Sequence, residues 1–408
     1  MNFSKYLAFV LMVLQGFSGI CQSFEDLYKV AADSNRGVRA SYESFNASMQ
    51  VAAQVRGLPD PILTFGDFII PIETRVGPQR AKLGLSQMFP WFGTQAAMEN
   101  TATSMAQAKY SEFVDKKNYL YFELAQSYYP LAEIEQHLAL QRENLNILKS
   151  FKALATTSFS NGKASMVDVI RIDIEMENAI TEIELLEESL YPQRVILNNL
   201  LNWPFDTIVP LDFPKQVMED GPIQESLGFS THPQMQGLHQ KLASAQYQEK
   251  AAKKMGAPKM GIGLDYIFID KSSSMTSSDN GRDAIMPMVS MSLPLYRKKY
   301  NSAVDEAIYQ QKAIQYEMQE KENRLESEYH LVAYDVHSSK ERFALYENQI
   351  KKTQQALSLT QSEYANSGQD FEELLRLQQK LLKYKMNQAT QLRKHAVANA
   401  KLNYLQSK

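Results

Sequence analysis

Two acids that follow turn residues are the groups best placed to do chemistry: Asp168, three residues after Ser165, and Glu373, three after Asp370. A Ser or Asp with an acid at the third position beyond it is the spacing of a capping box, in which side chains satisfy free backbone N–H groups at a helix start. Such carboxylates either cap helices and nothing more, or also face a shared opening; spacing leaves both readings open. Other groupings are thinner. His330 and His337, like His232 and His239, lie seven apart, which puts each pair on one helical face two turns apart and reads as surface histidine. Met286, Met288 and Met291 cluster as soft copper ligands do. Strand alternation sets Met286 and Met288 on one face and Met291 on the other, which favours packing in a sheet over a metal relay. Gly261-Ile262-Gly263 lacks the third glycine of a nucleotide fingerprint. There is no nucleophile elbow, zinc-helix motif or phosphate loop, so the chain reads as a non-enzyme with no catalytic, cofactor-binding or metal residues.

The two acids sit in an order of events written twice, about 200 residues apart. A helix closes on Gly57-Leu58-Pro59 in the first copy and on Gly256-Ala257-Pro258 in the second. Two strands follow, the second ending at Phe89-Pro90-Trp91-Phe92 and at Leu293-Pro294-Leu295-Tyr296. A very long helix comes next, then a turn into another helix. At that turn Phe159, Gly162, Ser165, Asp168, Ile170 and Arg171 align with Tyr364, Ser367, Asp370, Glu373, Leu375 and Arg376 at one constant offset. Asn161-Gly162 and Gly368 suit the left-handed residue that ends a helix.

The helices are too long for a compact globule. Thr94 to Thr157 and Lys298 to about Ala365 each read as one rod, and about 64 residues extend about 96 Å at 1.5 Å per residue. Rods of that length must pack on one another. Val169, Ile172, Met176, Ala179, Ile183, Leu186 and Leu190 alternate spacings of three and four, the seam of a coiled coil, and Pro192 predicts a kink or break. Between the copies Pro204, Pro210, Pro214 and Pro222 mark Trp203 to Pro222 as an extended linker.

The strands carry the complementary signal. Ile262, Leu264, Tyr266 and Phe268 alternate with Gly263, Asp265 and Ile267; Leu83 and Leu85 alternate with Gly84 and Ser86. Short strands with one apolar face suit the wall of a membrane barrel. One chain offers four, too few to close, and open edges are not tolerated in hydrocarbon, so several chains must contribute; three would give twelve strands. Pro71 to Arg80 and Lys271 to Asp283 read as polar loops at the strand tips.

Met1 to Ser23 resembles a secretory signal, with a basic start, an apolar run and a small-residue exit. Cys21, the single cysteine, is either a lipid-attachment site or is lost with that signal. The formal net charge of −3, with charged residues of both signs, gives no reason to expect a nucleic-acid partner.

With these residues on the page, the chain resembles the TolC family of outer-membrane factors, the exit ducts of tripartite efflux and type I secretion systems. The resemblance spans the mature chain and is most specific at Gln87-Met88-Phe89-Pro90-Trp91-Phe92-Gly93 and at the two tip turns. It implies a mainly α protein with a small β part, in which duplicated helical and β-hairpins build a trimeric α-helical barrel continuous with a 12-stranded outer-membrane β-barrel, four strands per chain. Residues 1–22 are then the signal and 23–210 the first repeat, with strands at about 62–70 and 81–90, a helix at about 94–157 and a tip turn at 159–168. Residues 211–408 form the second repeat, with strands at about 261–270 and 284–294, a helix at about 298–365 and a tip turn at 364–373.

The implied function is a passive duct reaching from the outer membrane into the periplasm, without cofactor, gated at its helical tips and driven by an inner-membrane transporter through a periplasmic adaptor. Asp168, Glu373 and Arg376 fall at the implied aperture, where Arg376 replaces an acid of some relatives. Phe159, Gly162, Ser165, Tyr364, Ser367 and Asp370 fall at the adaptor-contacting turns, and Pro90, Trp91 and Pro294 at strand-to-helix junctions. Any equatorial collar is expected to be small and built from the linker. A periplasmic adaptor or an envelope coiled-coil scaffold is the alternative, although neither accounts for membrane-type strands.

Overall fold

The computed structural model describes residues 23–217, 228–274, 276, 278–367 and 371–407. The first copy of the pattern contains α1 (Phe24–Ser34), α2 (Arg36–Arg56), β1 (Ile62–Thr74), β2 (Gly77–Phe89), α3 (Thr94–Ser160) and α4 (Met166–Leu201). After a short 3-10 turn at Phe229–Thr231 the second contains α5 (Pro233–Met255), β3 (Met260–Ile269), β4 (Ala284–Met291), α6 (Arg297–Ser367) and α7 (Phe371–Leu405). Cys21, Pro222, Gly368 and Asp370 lie outside the described residues.

Two compact units cut across the sequence halves 23–210 and 211–408, each unit drawing on both. A helical unit takes the described parts of Met1–Ala40, Val114–His232 and Asn323–Lys408; a strand unit takes Ser41–Phe113 and Pro233–Glu322. The division follows packing: strands bond laterally to the strands of the other copy, and helices bury their seams against helices of the other copy.

In the helical unit the predicted seam is buried at Val169, Ile172 and Ala179 and half-buried at Met176, Ile183, Leu186 and Leu190. It meets Leu148, Phe151 and Ala155 of α3, Tyr364 of α6, and Phe371, Leu374 and Leu375 of α7 in one apolar cluster. Each large side chain so buried contributes about 1.5–3 kcal/mol, which is what makes rods of this length stable. The kink or break expected at Pro192 is not a break: α4 runs unbroken from Met166 to Leu201. Pro130, for which the expected rod of Thr94 to Thr157 made no allowance, likewise lies inside α3. A proline costs a helix one backbone hydrogen bond, and seam burial on both sides offsets the loss.

The far end of α4 is held by the N-terminal helix. Ser34 Oγ donates to Leu201 O at 2.7 Å and Asn35 Nδ2 to Leu200 O at 3.0 Å, satisfying carbonyls the helix end leaves free. The linker is non-helical as far as it is described, and buried Asn198 ties it down by donating to the carbonyls of Phe205 and Thr207 at 3.0 and 2.9 Å. His232 departs from the expectation of a surface residue sharing a face with His239. It precedes α5, is buried, and packs edge-on against Tyr404 at 5.2 Å, because Pro233 starts the helix one residue later.

In the strand unit the sheet is antiparallel in the order β1-β2-β3-β4, so the β2–β3 pairing joins the two copies. The polar loop expected at Pro71 to Arg80 is instead strand on both sides of a tight turn. Thr74 pairs with Gly77, whose φ of +126° only glycine adopts readily. Pro71 is accommodated because β1 is an edge strand and the register slips between Asp67 and Ile72. At the other edge β4 stops at Met291, short of the expected 294, and Pro294 lies in a tight turn closed by Leu295 N donating to Leu293 O at 2.9 Å.

Both strand entries are fastened the same way. Gln95 Nε2, in the first turn of α3, donates to Gly57 O at 2.9 Å, and Arg297 Nη1, which starts α6, donates to Gly256 O at 3.1 Å.

Candidate functional site

The tip of the helical unit starts from a glycine. Gly162 has φ +70°, Lys163 N donates back to Ser158 O at 2.9 Å, and α3 therefore ends sharply at Ser160. Ser165 then caps α4. Its Oγ accepts from Val167 N at 3.1 Å while Asp168 Oδ2 accepts from Ser165 N at 3.2 Å, a complete capping box. The second copy brings Glu372 and Glu373 into the first turn of α7, where acids also complement the helix dipole. Ser367 is the last residue of α6.

The aligned tip positions are not equivalent in three dimensions. Phe159 is 45% exposed, whereas its counterpart Tyr364 is 0% exposed, with its ring 4.9 Å from that of Phe371. Ile170 is 50% exposed and Leu375 only 6%. At these two aligned positions the second copy turns inward, and the first presents an apolar strip of Phe159, Met166, Val167, Ile170 and Ile174 to the outside. Burial pushes the Tyr364 phenol above its usual range; Ser158 beside it works against the rise and the Asp168 carboxylate adds to it. The structure therefore brings Asp168 of the first copy near Tyr364 of the second.

Ion pairs fasten α3, α4 and α7 around this core. Lys152 Nζ lies 2.5 Å from Asp173 Oδ1 between α3 and α4, and Lys385 Nζ lies 3.0 Å from Glu143 Oε1 between α7 and α3. Arg171 Nη1 lies 3.0 Å from Glu372 Oε2, joining the two hairpins. Arg376 Nε donates to Glu373 Oε2 at 2.7 Å, so the residue that departs from the expected acid is the partner of the acid beside it. The Arg171 pair was not foreseen. Its only sequence trace is that Arg171 aligns with Arg376.

In the strand unit β3 alternates without interruption. Met260, Ile262, Leu264, Tyr266 and Phe268 are exposed, and Gly261, Asp265, Ile267 and Ile269 are buried. Register extends the outer face across the sheet in rows such as Phe65–Leu83–Tyr266–Ile285. The inner face carries Asp265, 1% exposed and ion-paired with Lys82, and a Cβ on neighbouring Gly84 would collide with its carboxylate. At the β2 exit Trp91 packs on Phe92 at 5.8 Å. Gly93 turns the chain at φ +75°, and Lys254 Nζ donates to Phe92 O at 3.0 Å. Among the described residues no helix is long and apolar enough to cross a membrane.

The fold is a repeated pair of helical hairpins together with a four-stranded sheet that has one apolar, exposed face. Solved structures of outer-membrane channels share it. VceC of Vibrio cholerae matches with a TM-score of 0.76 at 15% identity, over 94% of this chain and 96% of that one. The outer-membrane channel OprN matches at 0.78 and 17% identity over 94% and 90%, and the open state of the Neisseria gonorrhoeae MtrE channel at 0.73 and 14% over 94% and 88%. No protein-family profile and no curated protein sequence matches the chain. The chain has the fold of the TolC-like outer-membrane factors, as its sequence motifs predicted.

Proposed function

We propose that three copies of this chain form a passive exit duct of the outer membrane, with twelve strands in the membrane and a helical tunnel extending into the periplasm. The observation that carries this reading is the four-stranded sheet: its outer face is apolar and exposed, and among the described residues neither edge strand has a further strand beside it. Open edges are untenable in hydrocarbon, so copies must pair edge to edge, β1 on β4, until the wall closes. The shared fold with outer-membrane channels supports the same assembly.

The tips gate the duct. Asp168, Glu373 and Arg376 stand at the aperture. The exposed strip of Phe159, Met166, Val167, Ile170 and Ile174 offers an apolar surface to a periplasmic adaptor, in a tripartite efflux or type I secretion system whose inner-membrane transporter supplies the energy. No chemistry is performed on the cargo. Purified in detergent, the mature chain is expected to run as a trimer and to give discrete conductance steps in planar bilayers. A water-soluble monomer that leaves bilayers silent overturns the proposal in favour of a soluble envelope scaffold or adaptor.

A further inference from the structure

The apolar face of the sheet gives way to a basic one where β4 ends. From Met291 the exposed side chains run Leu293, Leu295 and Tyr296, the last two 76% and 86% exposed, and then Arg297, Lys298 and Lys299. The entry to β3 lies beside this exit. Met260 pairs with Met291, Lys259 N donates to Ser292 Oγ at 2.8 Å, and Ser292 N donates to Lys259 O at 2.9 Å. Arg297 Nη1 on Gly256 O at 3.1 Å, and the approach of Gly256 to Tyr300, hold the two segments together; a Cβ added to the glycine would stand 3.3 Å from the tyrosine Cβ. The platform so formed is charged in one sense only. There is no acid between Glu249 and Asp265, nor between Asp283 and Asp305, and the same stretches hold seven Lys and Arg residues. Four of these are committed within the strand unit: Lys250 lies over the Tyr247 ring at 5.0 Å, Lys253 pairs with Glu249 at 2.5 Å, Lys254 donates to Phe92 O and Arg297 to Gly256 O. Lys259, Lys298 and Lys299 are exposed, and among the described residues no carboxylate pairs with them.

We propose that Lys259, Lys298 and Lys299 of each copy bind the phosphate headgroups of anionic phospholipid in the leaflet that meets the α5 and α6 end of the sheet. Exposed apolar residues followed by an aromatic ring and then by lysines reproduce, along one segment, the order of acyl chain, glycerol and phosphate that a chain meets on leaving a bilayer. Lysine stems lie along apolar surface while their ammonium groups reach outward, so the three can gather at the phosphate level. A net negative headgroup attracts them, whereas a zwitterionic one sets its own cation against them. The other end of the sheet offers no such excess: Arg80 pairs with Asp270 and Arg282 with Asp279, and Asp283 accepts from Tyr266 Oη at 2.6 Å. The preference therefore belongs to one leaflet. That the sheet stands in a bilayer at all rests on the function proposed above.

The test reconstitutes the purified oligomer carrying Trp203→Phe, which leaves Trp91 as the one tryptophan, in phosphatidylcholine bilayers doped with brominated phosphatidylglycerol or, separately, with brominated phosphatidylcholine. Trp91 stands beside the platform, since Phe89 pairs with Met260 and Lys254 Nζ donates to Phe92 O. At low ionic strength phosphatidylglycerol is expected to quench Trp91 with an association at least about fivefold stronger than that of phosphatidylcholine, the worth of one lysine near an anionic surface. In about 1 M salt, where the Debye length is about 3 Å, the preference should vanish, a measurement that needs no charge variant to fold. Lys259→Gln/Lys298→Gln/Lys299→Gln should be quenched equally by both lipids, and Lys271→Gln/Arg282→Gln, at the far end of the sheet, should keep the preference. A preference that survives the salt or the triple variant, or that is lost as readily from the far-end pair, overturns the site. Equal quenching of the protein without charge substitutions also overturns it, assigns the lysines to an acidic protein segment, and leaves the duct standing. Quenching by neither lipid means that the sheet does not enter bilayers, and the duct then fails together with the site.

Discussion

Arg171 Nη1 of the first hairpin lies 3.0 Å from Glu372 Oε2 of the second, an ion pair that joins the two copies of the repeat at the tip. Its side chains are 43% and 77% exposed, so its worth is bounded at about 1 kcal/mol and is screened by salt. Arg171→Ala or Glu372→Ala should leave oligomer stability nearly unchanged and raise the leak conductance of the closed duct at low ionic strength. In about 1 M salt, where the Debye length falls to about 3 Å, the difference from the parent protein should vanish. A leak that persists at high salt would assign the effect to packing.

Asp168 combines a capping role with a charge, and two substitutions separate them. Asp168→Ala removes one arm of the capping box and should destabilise the hairpin by about 0.5–2 kcal/mol. Asp168→Asn keeps a side-chain oxygen for Ser165 N and removes only the charge. If Asp168 lines the aperture, the Asn variant alters cation-over-anion selectivity in reversal-potential measurements without a change in thermal midpoint. Unchanged selectivity confines Asp168 to capping. Glu373→Gln should shift selectivity less than Asp168→Asn, because Arg376 already balances the Glu373 charge.

Tyr364 and Phe159 align in sequence but differ in burial, and truncation should expose the difference. Tyr364→Ala opens a cavity in the tip core and should cost about 3–5 kcal/mol, read as a lowered thermal midpoint of the oligomer. Phe159→Ala should stay within about 0.5 kcal/mol and act instead on adaptor binding.

The Tyr364 phenol also predicts an alkaline weakness. Its folded pKa is raised above the ordinary value of 10.0, so the neutral form is favoured by folding. That contribution is complete below pH 10 and is lost as pH rises through the folded pKa. Circular dichroism should show loosening at alkaline pH, with the onset moved upward in Tyr364→Phe. A residual transition remains in that variant, since burial also raises Tyr121, Tyr129 and Tyr404 of the same unit.

Two ion pairs of the strand unit contrast in the same way. Lys82→Met leaves the Asp265 carboxylate buried without its partner and should cost about 3 kcal/mol or more. Arg80→Ala breaks an exposed pair with Asp270 and should cost less than about 1 kcal/mol. Heat stability of the detergent-solubilised oligomer checks both, and equal losses would refute the assignment of Asp265 to a closed inner face.

Local order was legible in the residues alone. The alternation of β3, the seam from Val169 to Leu190 and the capping box at Ser165 and Asp168 depend on contacts within a few positions, and period and cap chemistry report such contacts directly. Pro71 misled, Pro130 was passed over, and at Pro192 the helix is not broken. Local chemistry does not show that Pro71 lies on an edge strand, or that a long buried seam carries α4 and α3 through theirs. The offset that aligned the tips suggested equivalence, yet only packing decided that Tyr364 turns into the core while Phe159 turns out. The neighbours of each copy differ: Tyr364 has the buried ring of Phe371 to pack against, whereas Phe159 stays 45% exposed. The Arg171–Glu372 bridge, the Lys82–Asp265 pair and the contact of Ser290 with Met88 each join residues about 200 positions apart. Such pairings are set by lateral register between distant strands and helices, which no local pattern encodes.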